Sequence, residues 1–443
     1  MSRIALLAVA LASTAHADPR APTLERFRLA NGLQVMLEVD HRVPLVAVNM
    51  YVDAGAGDEE PGRSGFAHLF EHLMFKGSSH VADGQHLGLL EAIGGTSVVA
   101  TTDWNRTQYQ EVVPAHELET ALWLESDRLG FLVPAFTDAK LANQRDVVRN
   151  ERRQTFENPP YGEVALRVPE LLFPAPHPYH PALIGTHEDL ANATLAQMTE
   201  FFRKWYAPGN VTLTLSGDFD PIATRALVEK YFGSIAVGPR TPPHRTDVQP
   251  SPATEIREVM RDAVTLPRVT FAWVTTRSYG PGDIELRLAA DLLAGSKSSV
   301  LHRKLVLEQR IAQSAACSYE PMRLGSVFQC DVVVHAGHTA DEVIGAFDRE
   351  LARLREQGPE TRELDRARTR LLAALTRRLE SLRRRAYLWS EYLHETGDPL
   401  FLPKDYARHR AVTEAAMKAA LAQWLDPHHR VVITVLPETK GKP

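Results

Sequence analysis

Cysteine is almost absent from this chain: Cys317 and Cys330 are the only two in 443 residues. One disulfide is therefore the most it can form. A second long hydrophobic run is absent as well. The marked one, Ile4 to Ala12, is well short of the ~20 apolar residues a spanning helix needs. An excess of positive charge is also missing. The 50 Lys and Arg against 55 Asp and Glu leave a formal charge of −5, so nothing draws the chain to nucleic acid in general. The one basic run, Arg383-Arg384-Arg385, falls in a long charged helix and reads as a solvated face.

What is present begins with an export signal. Arg3 supplies a positive start, Ile4 to Ala12 an apolar centre, and Ala15-His16-Ala17 a small-residue cleavage site. Residues 1–17 are thus expected to be a signal peptide, leaving a soluble mature chain that is periplasmic or secreted. No cysteine lies near the cleavage site, which argues against a lipid anchor. Without residues 1–17, which hold one Arg and no acid, the charge becomes −6.

With 44% apolar and 24% charged residues the composition is that of a globular protein. A mature length above 400 residues predicts more than one core. The segment 241–258, "TPPHRTDVQPSPATEIRE", is rich in Pro, Thr and Ser without apolar periodicity and reads as a linker. It divides residues 18–240 from residues 259–443. Each side runs through strands, a helix, more strands, long helices and a last strand ("NVTLTLSGD", "RVVITVLP"). The expectation is an α+β protein of two similar halves.

The stretch "GFAHLFEHLMFKG" sets His68, Glu71 and His72 inside an otherwise apolar helix over 64–76. Ser64-Gly65 reads as its N-cap and Gly77 as its stop. His68 and His72 are one turn apart on one face, so two neutral imidazoles can share a tetrahedral zinc. Glu71 lies beside them, placed to take a proton from water at the metal without being a ligand. By chance, such a motif arises somewhere in a chain of this composition on the order of a few times in a hundred. Burying three such groups unsatisfied is expensive, which favours the metal. Counting back from Gly295 as from Gly77, the second half has Leu286, Ala289 and Ala290 at the matching positions, so one half alone carries the chemistry.

A catalytic zinc needs a third protein ligand, and spacing alone does not pick one. The best candidate helix is "TDAKLANQRDVVRNERRQTFENPPYG", where Thr137 can cap and Leu141, Gln144, Val148 and Glu151 share a stripe. The bland alternative is that Glu151 pairs with Arg152 or Arg153 at the surface.

These stretches, with "LEAIGG", "ALWLESDRLGFL", "NPPYG", "YAPGNVTLTLSGD" and "LAGSKSSVLHRKLVLEQ", resemble the pitrilysin/insulinase-type metallopeptidases with an inverted zinc motif. The likeness is greatest to small bacterial members related to mitochondrial processing peptidase. It spans nearly the whole mature chain. It implies His68, His72 and Glu151 as ligands of one Zn2+ per chain and Glu71 as general base. It also implies two homologous halves, each a mainly antiparallel sheet with packed helices, that together form half of a clam-like chamber for unfolded peptides.

Three departures stand out. Gln144 replaces a second acid seven residues before the distal ligand, where it can only orient a ligand by hydrogen bonding. Val99 stands where relatives have Asn, followed by Ala100, on the strand expected to bind substrate through its backbone. An Arg/Tyr pair expected to hold the substrate carbonyl is missing from "RKLVLEQRIAQSAAC", where Val306, Gln309 and Gln313 are found instead. The resemblance therefore implies a heterodimer with a homologous, non-metal subunit that carries the pair; a homodimer is the runner-up. A non-catalytic peptide-binding or assembly subunit is the rival function. Finally, "AACSYEPMRLGSVFQC" reads as a hairpin that sets Cys317 opposite Cys330, and export favours a bridge between them.

Overall fold

The computed structural model describes residues 23–244 and 252–438. The expected signal peptide and residues 245–251 of the expected linker lie outside them. The first half contains strands β1 (Leu24–Arg28), β2 (Gln34–Val39), β3 (Leu45–Val52), β4 (Thr96–Thr102), β5 (Thr107–Pro114) and β6 (Val211–Gly217). Its helices are α1 (Phe66–Leu73), α2 (Gln85–Ala92), α3 (Leu118–Gly130), α4 (Asp138–Arg152), α5 (Val164–Leu172), α6 (His187–Asn192), α7 (Leu195–Trp205) and α8 (Pro221–Phe232). The second half has β7 (Ile256–Asp262), β8 (Arg268–Thr275), β9 (Ala312–Glu320), β10 (Ser326–Val334) and β11 (Val431–Pro437). Around them lie α9 (Asp283–Ala294), α10 (Ala340–Gln357), α11 (Thr361–Arg378), α12 (Leu382–Thr396), α13 (Leu402–Ala411) and α14 (Glu414–Trp424).

The first sheet has the order β1-β2-β6-β3-β5-β4 and the second β7-β11-β8-β10-β9. In both, one parallel pair (β2 with β6, β7 with β11) is followed by antiparallel pairs. In both, a helix joins the middle strand to the outer hairpin: α1 after β3, α9 after β8. The halves are thus structural repeats, and among the described residues β1 is the one strand without a counterpart in the second sheet. This is the two-halved α/β architecture expected from the sequence.

The helices do not respect the chain-order division. Helix α12, from the second half, packs across β3, β5 and β6, while α5, from the first, packs on β8 and β11. That exchange explains why "LVAVNMYV" and "VTLTLSG" read as almost unbroken apolar or β-branched runs. β3 and β6 are buried on both faces, by α1 and its neighbours on one side and α12 on the other. β10, paired between β8 and β9, has only every second residue fully buried, as a strand with one packed face should. β7 begins at Ile256, inside the stretch read as a linker.

The basic run on α12 corrects the sequence reading. Arg385 is buried, 4% exposed, because it crosses to the first sheet and pairs with Glu38 (3.1 Å) and Asp40. Trp389 Nε1 donates to the same Glu38 (2.9 Å), and Asn49 Nδ2 donates to Ser390 Oγ (2.9 Å). The partners lie some 340 residues away, so no local charge pattern reveals them.

Cys317 and Cys330 sit directly opposite on β9 and β10 and form a disulfide. It closes a short loop, so the bridge is worth about 2–3 kcal/mol in the chain-entropy account. Non-reduced protein should show no free thiol by mass spectrometry. Cys317→Ser with Cys330→Ser should lower the denaturation midpoint by a corresponding amount.

A polar knot ties the halves at the end of β3. Asp53 receives Arg323 from the β9–β10 turn (2.6 Å), His244 from the interhalf segment (3.1 Å) and His394 from α12 (3.4 Å). His244 also contacts Asp58 at 2.7 Å. Burial alone would lower the His244 imidazole, but the Asp53 and Asp58 carboxylates outweigh it and raise it to about 9. A raised histidine stabilises fully below its unfolded value of about 6.5 and stops doing so as pH climbs through about 9. Stability should therefore fall between pH 6.5 and 9, by at most about 3 kcal/mol. Denaturant titrations at the two pH values check it, and His244→Asn should flatten the difference.

Candidate metal centre

Helix α1 starts by a route the sequence did not show. Gly65 has φ +83, and a Cβ there would meet Ile184 O at 2.7 Å, so glycine is required. Its capping acceptor is Glu59, whose carboxylate takes hydrogen bonds from Gly65 N (3.0 Å) and Ala67 N (2.7 Å). Ser64, expected to cap, instead donates to Asp189 Oδ2 at 2.5 Å. The helix ends at Leu73, earlier than Gly77 suggests. Phe66, Leu69, Phe70 and Leu73 fill the core of the first half. They fix the axis and turn His68, Glu71 and His72 toward α4 and β4.

Helix α4 begins as expected: Thr137 Oγ1 accepts from Lys140 N at 3.2 Å. Leu141, Gln144 and Val148 are buried, and one turn further the same stripe presents Glu151 to α1. Its Oε2 lies 3.3 Å from His72 Nε2 and its Oε1 3.7 Å from His68 Nε2. Arg152 turns away, to Glu157 (2.8 Å) and to the Gly185 carbonyl (2.5 Å). Surface pairing of Glu151 with that arginine is thereby excluded.

Two imidazole nitrogens and a carboxylate oxygen thus converge, all within 4.8 Å of one another. A tetrahedral zinc with bonds of about 2.0–2.1 Å sets its ligand atoms about 3.4 Å apart, so this donor set fits the ion. Burial first, and then the neighbouring His72, push the His68 imidazole down to about 4, which keeps it in the neutral form that binds metal. The contact with His72 holds the Glu151 carboxyl below the usual carboxylate range. His68 Nδ1 is buried without a hydrogen-bond partner among the described residues, so the support common behind a ligating histidine is missing here.

Glu71 is 9% exposed and outside this triangle. Burial raises its carboxyl, only partly offset by Thr102, whose hydroxyl donates to Oε2 at 2.5 Å. Thr102 was not foreseen. Alternation along "TSVVATT" does place it on the face of Val98 and Ala100, but its partner is 31 residues away, on another element.

The remaining sites fall as follows. Gln144 is 2% exposed and donates to Asn143 Oδ1 (2.6 Å). Among the described residues it makes no hydrogen bond to His68, His72 or Glu151, so the orienting role expected of it is absent here. Val99 and Ala100 lie on β4, the outermost strand of its sheet, opposite Gln110 and Tyr109. Among the described residues, the backbone edge of β4 away from β5 is unpaired. Val306 lies in a π-helical turn (His302–Glu308) packed on the second core, and Gln313 is exposed on β9.

A paired-sheet repeat with one His/His/Glu centre in its first half defines an inverted-motif zinc-peptidase architecture. The family model described as Insulinase (Peptidase family M16) matches residues 34–170, which hold the centre, and that described as Peptidase M16 inactive domain matches residues 192–371. The chain belongs to the M16 peptidase family. It is 28% identical over 397 residues to the zinc protease PqqE of Helicobacter pylori, covering 88% of this chain and 87% of the relative. It is 24% identical over 368 residues to the uncharacterized zinc protease YmxG of Bacillus subtilis, covering 81% and 85%. Among solved structures, a protease from Helicobacter pylori superposes with a TM-score of 0.87 at 24% identity, over 94% of this chain and 100% of that one. The periplasmic protease PqqL of Escherichia coli gives 0.74 at 18% identity, over 93% of this chain but 47% of its own.

Proposed function

We propose that this chain is an exported zinc endopeptidase that hydrolyses unfolded peptides and small proteins held in extended form. The observation that carries the reading is the convergence of His68 Nε2, His72 Nε2 and the Glu151 carboxylate, with a buried Glu71 beside them. Zinc, when bound there, polarises a carbonyl and acidifies water. Glu71 takes the proton of the attacking water and delivers it to the leaving amine; Thr102 fixes the carboxylate's orientation. The open edge of β4, at Val99 and Ala100, accepts the peptide as an added strand through backbone hydrogen bonds. Val99 offers no side-chain amide, so binding rests on the backbone there.

No helix among the described residues is long and apolar enough to cross a membrane. Together with the expected signal peptide and the periplasmic relative, this favours a periplasmic or secreted enzyme. Val306, Gln309 and Gln313 supply no cation for a developing oxyanion. A homologous, non-metal subunit carrying an Arg and a Tyr would complete the site as a heterodimer, and self-pairing is the alternative. The match to about half of the PqqL chain is consistent with two such units working together. Zinc content and cleavage of a quenched peptide, measured on the purified chain with and without a homologue lacking the metal motif, test the reading. Stoichiometric zinc with activity that rises on adding the homologue is expected. Full activity alone removes the heterodimer; absence of both zinc and cleavage leaves the non-catalytic peptide-binding subunit.

A further inference from the structure

On the α12 face of the first sheet, one strand inboard of the open β4 edge, lies a pocket of about 330 Å3. Its walls are Gln108 and Gln110 of β5, Arg378 at the end of α11, and Arg383, Arg384 and Tyr387 of α12. Among the described residues no carboxylate lines it. Arg378 is matched by Glu391 at 2.5 Å. Arg383 donates to the neutral Gln110 Oε1 at 2.9 Å, and the Arg384 side chain is exposed. Neither of these two has an acidic partner among the described residues. Gln108 is 6% exposed; its Nε2 donates to Thr101 Oγ1 at 3.0 Å and its Oε1 is buried without a partner. Amide oxygen and nitrogen are interchangeable in such a site. Turned over, Gln108 accepts from the Thr101 hydroxyl and leaves its NH2 at the buried position that has no partner.

Strand geometry connects the pocket to the edge. Val99 lies opposite Gln110 and Thr101 opposite Gln108, and directly paired residues share a face. Thr102, on the other face, touches Glu71. A peptide added along β4 alternates in the same way, so residues flanking the one at the metal face hang over Val99 and Thr101 toward the arginines. Val99 is 36% exposed and apolar; it lies opposite Gln110 and competes for no charge.

The geometry points to a specificity subsite that takes an acidic side chain, Glu or Asp, of the bound peptide through Arg383 and Arg384. It rests on the reading that substrate pairs with β4. Arginine suits the task because its planar fork meets a carboxylate through two hydrogen bonds.

The test uses quenched peptides that differ only by Glu, Gln or Lys at each position around the scissile bond. Cleavage is followed with the full chain, and binding by fluorescence anisotropy with Glu71→Gln. At one position Glu should be preferred over Gln by about five- to tenfold. The ratio should fall to near one in Arg383→Gln/Arg384→Gln and shift toward Lys in Arg384→Glu, whose exposed side chain leaves folding undisturbed. Arg349→Gln, an exposed arginine on α10, controls for net charge and should keep the ratio. Cleavage without a Glu preference at any position, or a ratio the arginine variants leave unchanged, overturns the subsite while the peptidase reading stands. Glu-selective binding without cleavage by the wild type, either alone or with the homologous non-metal subunit added, overturns the peptidase reading and retains the subsite. Neither binding nor cleavage overturns both.

Discussion

Glu71→Gln should retain near-stoichiometric zinc while losing turnover by about 10²–10⁴-fold, the usual contribution of a positioned general base. The substitution keeps shape and the hydrogen bond from Thr102, and it leaves His68, His72 and Glu151 untouched. What it removes is the ability to accept a proton. The loss should therefore appear in kcat, with KM for a neutral peptide little changed. Zinc analysis of the same preparation separates a chemical defect from metal loss. If the variant kept most of its peptidase activity, the water would be deprotonated elsewhere and the role given to Glu71 would be wrong.

His72→Ala and Glu151→Ala should lose both metal and activity. Each removes one of three converging donors, and two remaining ligands hold zinc far more weakly. Glu151 is the more informative of the two. Its side chain is 39% exposed, so its removal leaves no large cavity, and a fall in zinc occupancy reports ligation rather than unfolding. Chelation of the wild type should reproduce the defect, and added Zn2+ should restore it. Because an ion that binds only the folded state adds stability, the wild type should melt higher with zinc than after chelation. The two alanine variants should show little of that increment. A Glu151→Ala protein that retained full zinc and full activity would sever α4 from the metal centre.

Much of this site could be read along the chain because its chemistry is local. His68 and His72 are one helical turn apart, and that spacing alone aligns them. Glu151 fell on a stripe with Leu141, Gln144 and Val148, three residues that prove buried, so the helix face was legible even though the ligand was not. What escaped depends on contacts across the fold. Glu59 capping α1, Thr102 holding Glu71 and Arg385 pairing with Glu38 each join separate elements, and periodicity carries no trace of the partner. The exchange of α5 and α12 between the sheets escaped for the same reason. Its one sign was the nearly unbroken run of apolar or β-branched residues in β3 and β6, which suits strands buried on both faces. Gln144 shows the converse: a departure noticed in the sequence that makes no hydrogen bond to the donor set among the described residues.

The central claim is that one zinc ion sits between α1 and α4. Anomalous diffraction from crystals of the wild-type chain, recorded on either side of the zinc absorption edge, measures this directly. The account predicts one strong peak per chain at about 2.0–2.2 Å from His68 Nε2, His72 Nε2 and a Glu151 carboxylate oxygen. No peak at that point in zinc-supplemented crystals, or a peak bound by other residues, would contradict it.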